Sequence, residues 1–368
     1  MKKLVTGIVT AGLLAVSLSG CSAQNTETAA PVSTAASEAP ATEAATAAAP
    51  TTEAPTTQAP AAKELSGSIT LYTSQPEADA QTLIDGFHKV CPDVEVNVFR
   101  SGTEEVISKV LAEKQVGALQ ADVLLVADSV TFESLKEQDL MMNYESPELA
   151  GIPAEFIDAD HTYTGTKVIS TGIVYNTDLV SQAPAGFADL TSETFKDNMI
   201  MPSPLYSGAA AYNLGVITRQ ADLGWDFYEN LKSNDITVDK GNGAVQKAVV
   251  AGEKAAGILV DYMAVRSKQD GAPVEFVYPA EGSPCVTEPI GILKDTKNAD
   301  QAKAFVDYVL SAEGQELAAS IGYTPVKEGI AAPEGLKTIS EMKTMNTDIS
   351  ELYQNRDADK EAFSQMFQ

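Results

Sequence analysis

The segment VEVNVFRSGTEEVISKV, residues 94–110, predicts a strand, a tight polar loop and a helix. Val94, Val96 and Val98 alternate with polar residues, which is the pattern of a half-buried strand. Apolar residues then recur at helical spacing, and the polar loop RSGT (100–103) lies between the two patterns. The loop is therefore expected at the amino end of a helix.

This loop has two interpretations. The first N–H groups of a helix have no partner within the helix and the helix dipole is positive there, so this position attracts an anion. The residues that would complete such a site are Arg100, Ser101, Gly102 and Thr103. Alternatively, Ser101 and Glu104 form a capping box and satisfy the same N–H groups themselves. Both interpretations remain open at this point.

Similar units stand on either side of this segment. Ser74 follows a predicted strand at 68–73 and precedes an amphipathic helix, and Asp128 follows a buried apolar strand at 121–126. Loops at the carboxyl ends of parallel strands lie at the edge where open sheets bind ligands. The first half of the chain therefore predicts an α/β lobe with polar loops along one edge.

The second half of the chain repeats this order. Ser207 and Gly208 open a helix, and a turn at 241–243 opens another. The apolar strand at 256–260 then delivers Asp261 and Tyr262. A second α/β lobe is predicted, preceded by an extended segment at 168–175 that contains Thr171 and Gly172.

The start of the chain predicts export. It begins MKK, continues with an apolar run at 4–18 and reaches small residues before Cys21, which is typical of a signal peptide at 1–20. Residues 21–65 are rich in Ala, Thr, Pro and Glu and cannot bury enough apolar surface to fold, so they predict a disordered linker. The remainder, 66–368, is too long for one compact core and fits two lobes.

Charge and motifs exclude several function classes. The chain has 25 basic and 51 acidic residues and a formal net charge of -26, which argues against binding nucleic acid or anionic lipid head groups. It has two histidines and lacks a Gly-x-Ser-x-Gly elbow, a His-Glu-x-x-His helix and a P-loop, so an enzyme is not predicted. A hydrolase with paired carboxylates remains an alternative. Whether Cys91 and Cys285 pair is left open.

Several segments, in their order and separation, resemble the type II extracellular solute-binding proteins of bacterial ABC importers, in the branch with ferric-, thiamine- and phosphonate-binding proteins. The segments are YTSQ (72–75), RSGT (100–103), TGIVYNT (171–177), SGA (207–209), GEKAAGI (252–258) and AFVDYVLS (304–311). LSGC at 18–21 also resembles the lipobox of bacterial lipoproteins, which implies lipidation of Cys21.

The resemblance implies two lobes, 66–166 with 280–368 as lobe 1 and 167–279 as lobe 2, joined by extended crossings near 167–175 and 274–279. A ligand would be enclosed in the cleft as the lobes close. The residues that it places in the cleft are Ser74, Arg100, Ser101, Gly102, Thr103, Asp128, Thr171, Gly172, Ser207, Gly208, Asp261 and Tyr262. It implies a monomeric lipoprotein without a cofactor, anchored outside the cytoplasmic membrane, more typical of a Gram-positive surface than a periplasm, which delivers a small anionic solute to an ABC permease.

Three ligand classes follow from the resemblance. Ferric-binding relatives use two adjacent tyrosines where this chain has Tyr262 and Met263, so iron would need Tyr262 with Asp261, Asp128 and a bound anion. A phosphonate or organophosphate fits hydroxyl and N–H donors better. Thiamine or its phosphates would need an aromatic wall, for which the candidates are Tyr206, Tyr262 and Tyr278. The phosphoryl class is preferred, then iron, then thiamine.

Overall fold

The computed structural model describes residues 65–345 and 347–367. The predicted signal peptide, the lipidated Cys21 and the linker as far as residue 64 lie outside the described residues. Within the described ranges, each helix is too short or too polar to cross a membrane.

Most α-helices of the described chain follow a strand. The strands are β1 Gly67–Thr73, β2 Val94–Arg100, β3 Val123–Leu125, β4 Thr164–Gly165, β5 Lys167–Asn176, β6 Met199–Pro202, β7 Thr237–Asp239, β8 Ala256–Val260, β9 Val274–Val277, β10 Cys285–Val286, β11 Pro289–Ile292 and β12 Thr324–Pro325. The α-helices are α1 Glu77–Val90, α2 Thr103–Gln115, α3 Ser129–Glu137, α4 Gly208–Thr218, α5 Gly224–Ser233, α6 Asn242–Val250, α7 Asp261–Gln269, α8 Ala299–Leu310, α9 Ala312–Ser320 and α10 Ile349–Phe367.

The strands form two sheets, each the centre of one lobe. The sheet of lobe 1 has the order β2-β1-β3-β11-β4, in which β1 is parallel to both β2 and β3. The sheet of lobe 2 has the order β10-β5-β8-β6-β7, with β9 and β12 also paired to β5. In both sheets, the parallel strands point their carboxyl ends toward helix starts, as the sequence predicts.

The core of lobe 1 lies on both faces of its sheet. Ile69 and Leu71 face one apolar cluster, which includes Phe87 of α1, whereas Tyr72 belongs to a second cluster with Val106 of α2. This division follows from the two-residue period of a strand. Strand β2 is an edge strand, and its Val98 is 45% exposed.

Two adjacent segments cross between the lobes, and the chain passes from lobe 1 to lobe 2 once more between α9 and α10. The first crossing runs directly from β4 into β5, and the second joins β10 to β11 through Thr287 and Glu288. The two crossings are bonded together, since the N–H groups of Thr166 and Lys167 donate to the Thr287 carbonyl at 3.0 and 3.2 Å. The structure does not place a crossing at 274–279, because Val274–Val277 pairs with β5 as a strand of lobe 2.

The C-terminal helix α10 was assigned to lobe 1 by the sequence, and the structure places it differently. Helices α8 and α9 do pack on lobe 1, against β11 and α1. In contrast, α10 packs on α4 and α5 of lobe 2 and also reaches α3 of lobe 1. Its Leu352 and Phe363 belong to the apolar core of lobe 2, where the Phe363 ring lies 6.1 Å from that of Tyr228.

The pairing of the two body cysteines, left open by the sequence, is resolved by the structure. Cys91 and Cys285 are both free thiols, each partly buried. Burial raises the pKa of Cys285 to about 11, so this thiol stays protonated at neutral pH.

Candidate functional site

A cleft of about 520 Å³ lies between the two lobes. Lobe 1 contributes Ser74, Glu77, Arg100, Gly102 and Thr103 to its wall. Lobe 2 contributes Tyr206, Ser207, Gly208, Lys240, Gly241 and Tyr262. The volume suits a small molecule rather than a macromolecule.

The wall on lobe 1 is built around the start of α2. Gly102 is the N-cap of this helix and has no side-chain cap hydrogen bond. The capping box that the sequence allowed is not formed: Ser101 donates its hydroxyl to the Glu105 carboxylate, and Glu104 binds Arg356 instead. The Arg100 side chain is held beside the cleft by its Nε, which donates to the Gln75 carbonyl at 2.8 Å.

The wall on lobe 2 is built from the starts of α4 and α6. Helix α4 is capped by its own Ser207, whose Oγ accepts from the Ala210 N–H at 3.3 Å. Helix α6 has Gly241 as its N-cap and, like α2, no side-chain cap. Two glycine-capped helix starts, one on each lobe, therefore open onto the same cleft.

Two exposed basic side chains and two carboxylates, Glu77 and Glu288, lie on the cleft wall, and one of the carboxylates is neutralised. Arg100 and Lys240 are both exposed side chains on its wall. Glu288 also lines the cleft, but Lys167 forms a short ion pair with its carboxylate. Lys167 and Glu288 are 3% and 4% exposed, so this pair is shielded from solvent.

The lobes meet at one end of the cleft around Tyr206. The Glu104 N–H donates across the lobes to the Tyr206 carbonyl at 3.4 Å. Lys240 lies 4.3 Å above the Tyr206 ring and 3.2 Å from a Glu105 carboxylate oxygen on lobe 1. A Cβ on Gly102 would lie 2.5 Å from the Tyr206 carbonyl oxygen, so only glycine allows this approach.

The structure brings seven of the sequence-predicted residues to the cleft wall and places the others elsewhere. The seven are Ser74, Arg100, Gly102, Thr103, Ser207, Gly208 and Tyr262. The residues outside the wall are Ser101, Asp128, Thr171, Gly172 and Asp261.

Contacts with other parts of the chain account for the positions of these residues. Asp128 is fully buried as the N-cap of α3 and binds Arg356. Thr171 accepts a hydrogen bond from Asn213 at 3.0 Å, and Gly172 packs inside β5 against β9. Asp261 lies behind the wall, where it accepts from the N–H groups of Ser170 and Tyr262.

The buried Asp261 makes stability depend on pH. Burial raises its pKa from 3.8 to about 7, although backbone N–H groups and the Tyr278 hydroxyl partly oppose the shift. The folded state therefore holds this proton more tightly than the unfolded state, and stability falls as pH rises from about 4 to 7. We expect Asp261→Asn to gain about 3 kcal/mol of unfolding free energy over the parent between pH 5 and pH 8, measured by urea denaturation. A gain that does not change with pH would contradict this assignment.

Residues 240–242, at the start of α6, line the cleft although the sequence did not predict them there. The turn at 241–243 was noted only as a helix start, yet Lys240, Gly241 and Asn242 all line the cleft. The sequence did contain a signal for these residues. The glycines of GNG (241–243) stand at a helix start, as the glycine of RSGT (100–103) does, and glycine has no side chain that could cap the helix. Tyr206 was considered only as a possible aromatic wall for thiamine.

The oxygen donors of the cleft are dispersed. Tyr262 lines the wall, whereas Asp128 and Asp261 do not. Burial and the neighbouring Glu288 raise the pKa of Tyr262, which opposes phenolate formation in the absence of a cation. No cluster of three or more His, Cys, Asp or Glu side chains within the described ranges could hold a metal ion.

A family comparison identifies the class of protein. The sequence profile of the bacterial extracellular solute-binding proteins matches residues 120–349. The chain belongs to this family. This match confirms the resemblance that the sequence suggested. The named relatives of this solute-binding protein are binding proteins rather than enzymes.

Three curated relatives cover most of this solute-binding protein. A probable ABC transporter periplasmic-binding protein of Sinorhizobium fredii is 25% identical over 69% of this chain and 73% of its own. An Fe(3+)-binding periplasmic protein of Serratia marcescens is 24% identical over 74% and 82%. A putative 2-aminoethylphosphonate-binding periplasmic protein of Salmonella typhimurium is 23% identical over 68% and 74%.

The fold is also that of solved binding proteins. The periplasmic binding protein AfuA of Actinobacillus pleuropneumoniae, with fructose-6-phosphate bound, superposes with a TM-score of 0.74 at 24% identity, over 82% of this chain and 98% of AfuA. The predicted two-lobed α/β fold is thereby confirmed. The family match and the relatives together indicate a substrate-binding component of an ABC importer that is located outside the cytoplasm.

Proposed function

We propose that this protein captures a small phosphoryl-bearing anion, such as a sugar phosphate or a phosphonate, by closure of the lobes and delivers it to an ABC permease. The observation that carries the proposal is the pair of glycine-capped helix starts, Gly102 on lobe 1 and Gly241 on lobe 2, that open onto one cleft without side-chain caps. Lipid anchoring at Cys21 stays a prediction from the sequence.

The chemistry of the wall suits a phosphoryl group. Backbone N–H groups at a helix start donate to anionic oxygens and the helix dipole favours their charge. Arg100 and Lys240 add positive charge from opposite lobes, so an anion between them would favour the closed arrangement. The ion pair of Glu288 with Lys167 limits the repulsion that a bare carboxylate would exert on the anion.

Ferric iron is the second candidate ligand, and three oxygen-bearing side chains on the cleft wall favour it. Tyr262, Glu77 and Glu288 line the cleft and have side-chain oxygen atoms, and oxygen is the donor that a hard cation prefers. One relative is named as an Fe(3+)-binding protein. A tyrosinate complex of Tyr262 would be coloured, whereas a phosphoryl complex would not.

Isothermal titration calorimetry on the purified protein tests the two candidates. The probes are fructose 6-phosphate, 2-aminoethylphosphonate, thiamine phosphate and ferric citrate. We expect one phosphoryl compound to bind with one-to-one stoichiometry and to be recovered chemically unchanged. Binding of ferric citrate alone, with a visible absorption band that Tyr262→Phe removes, would replace the phosphoryl proposal by the ferric one.

The basic residues of the cleft give a mutational prediction. Arg100→Gln and Lys240→Gln should each weaken binding of the phosphoryl probe by about 10- to 100-fold, since a charge-assisted hydrogen bond contributes about 1.5–3 kcal/mol. Calorimetry at two salt concentrations measures the effect, which should shrink at high salt. Lys294→Gln is the control, because Lys294 pairs with Asp139 on the surface of lobe 1. Parental affinity in both cleft variants would exclude these side chains from the site.

A further inference from the structure

The C-terminal helix α10 connects the two lobes. Its apolar side belongs to lobe 2: Leu352 and Phe363 are 3% and 2% exposed within the core of that lobe. Arg219, at the end of α4, fastens the helix further through ion pairs with Glu351 and Asp359 at 3.0 and 2.8 Å. The helix is thus part of lobe 2, although it follows lobe 1 in the sequence.

Next to these apolar residues, on the same face of α10, two cations bind lobe 1. Arg356 lies 3.0 Å from an Asp128 carboxylate oxygen and 2.7 Å from a Glu104 oxygen. Lys360 binds the other Glu104 oxygen at 2.9 Å. The Arg356 guanidinium also lies 3.3 Å from the Thr131 hydroxyl. Every one of these acceptors belongs to α2, α3 or the α3 N-cap.

These ion pairs are shielded from water. The side chains of Arg356, Glu104 and Asp128 are 12%, 17% and 0% exposed. Ion pairs that are shielded in this way retain much of their attraction in salt, unlike pairs on an open surface. If the lobes separated at α10, the buried Asp128 carboxylate would lose the guanidinium that compensates its charge.

The contacts also lie beside the cleft. Glu104 is in the first turn of α2, next to Gly102 and Thr103 on the wall, and its N–H reaches Tyr206 of lobe 2. A helix that holds Glu104 from lobe 2 therefore sets the distance between the two walls.

We propose that α10 is an inter-lobe clamp, in which Arg356 and Lys360, carried by lobe 2, hold Glu104 and Asp128 of lobe 1 and favour the closed arrangement without a ligand. Arg356 is a positioning residue, since it acts on the cleft through Glu104. The ligand's contribution to closure is correspondingly smaller, because part of the closed contact is already made by the protein. This inference does not depend on the chemistry of the ligand.

Inter-lobe distances in the ligand-free protein test the clamp. Spin labels are placed at Val116→Cys on lobe 1 and Leu179→Cys on lobe 2, which are 75% and 55% exposed, with the native cysteines replaced by serine. Pulsed electron paramagnetic resonance should show mainly one short distance in the parent. Arg356→Met should shift more than half of the molecules to a longer distance.

Two further variants keep the result interpretable. Lys136→Met removes a cation that pairs with Asp158 inside lobe 1, and it should leave the parental distribution unchanged. If Arg356→Met does not fold by circular dichroism, Glu104→Gln combined with Lys360→Met replaces it and should produce the same shift. A parent that is already open, or clamp variants that keep the parental distribution, would overturn the proposal. Because no ligand is added, this outcome is independent of the phosphoryl proposal.

Discussion

Replacing Gly102 by alanine is expected to lower ligand affinity by about 10- to 100-fold, with both lobes still folded. A Cβ at this position would lie 2.5 Å from the Tyr206 carbonyl oxygen and 2.6 Å from its ring. Backbone oxygen cannot move aside cheaply, so the lobes would have to stay apart. The overlap opposes the closed arrangement, whether a ligand or α10 favours it, so a ligand that needs closed lobes binds more weakly.

Calorimetry with the probe that binds the parent measures this loss, and urea denaturation without the probe measures stability. The matched control is Gly117→Ala. There a Cβ meets nothing within 4 Å, but φ is +67°, so alanine should cost some stability and no affinity. Unchanged affinity in the Gly102 variant would mean that the ligand-bound lobes do not approach each other at Tyr206.

Lys167→Met is expected to remove about 3–5 kcal/mol of unfolding free energy. Its ammonium pairs with Glu288 beside both crossings, and each residue is less than 5% exposed. Among the described residues, the variant would leave the Glu288 carboxylate with the Gln75 amide as its side-chain donor, at 3.0 Å. A buried charge without its counter-ion is far more costly than the loss of a surface pair.

The double variant Lys167→Met/Glu288→Gln separates charge from packing, because it removes the uncompensated carboxylate and should recover most of the loss in urea denaturation. Lys294→Met is the matched surface variant. The side chains of Lys294 and its partner Asp139 are 48% and 80% exposed, so losing this pair should lower the free energy of unfolding by less than about 1 kcal/mol. Equal losses for Lys167→Met and the double variant would show that the lysine stem, rather than its charge, stabilises the crossings.

Local patterns predicted the parts of the site that depend on local geometry. The position of RSGT between a strand and a helix placed Arg100, Gly102 and Thr103 at a helix start, and all three line the cleft. The same reasoning placed Asp128 and Asp261 there, because each also follows a strand and precedes a helix. For Asp128, the difference lies in Arg356, which is 228 positions away and leaves no local signal.

Long-range pairing also decided the features that the sequence misplaced. The runs at 274–277 and 285–286 are both short and extended, and only pairing shows that β9 stays within lobe 2 while β10 leads to the crossing. The periodicity of α10 indicated a helix but not its partner. One face of α10 carries both the apolar residues that pack on lobe 2 and the cations that bind lobe 1, so its apolar pattern did not indicate a single partner.

The hydrogen bonds between the two crossings restrict how the lobes can move. Thr166 and Lys167 both donate to Thr287, so the crossings form one ribbon rather than two independent strands. Because these bonds oppose sliding of one crossing past the other, we expect the lobes to move mainly by bending at this ribbon. If the lobes close in this way around a ligand, the angle between them reports whether the cleft is occupied, and a permease that contacts both lobes would respond to that angle without touching the ligand.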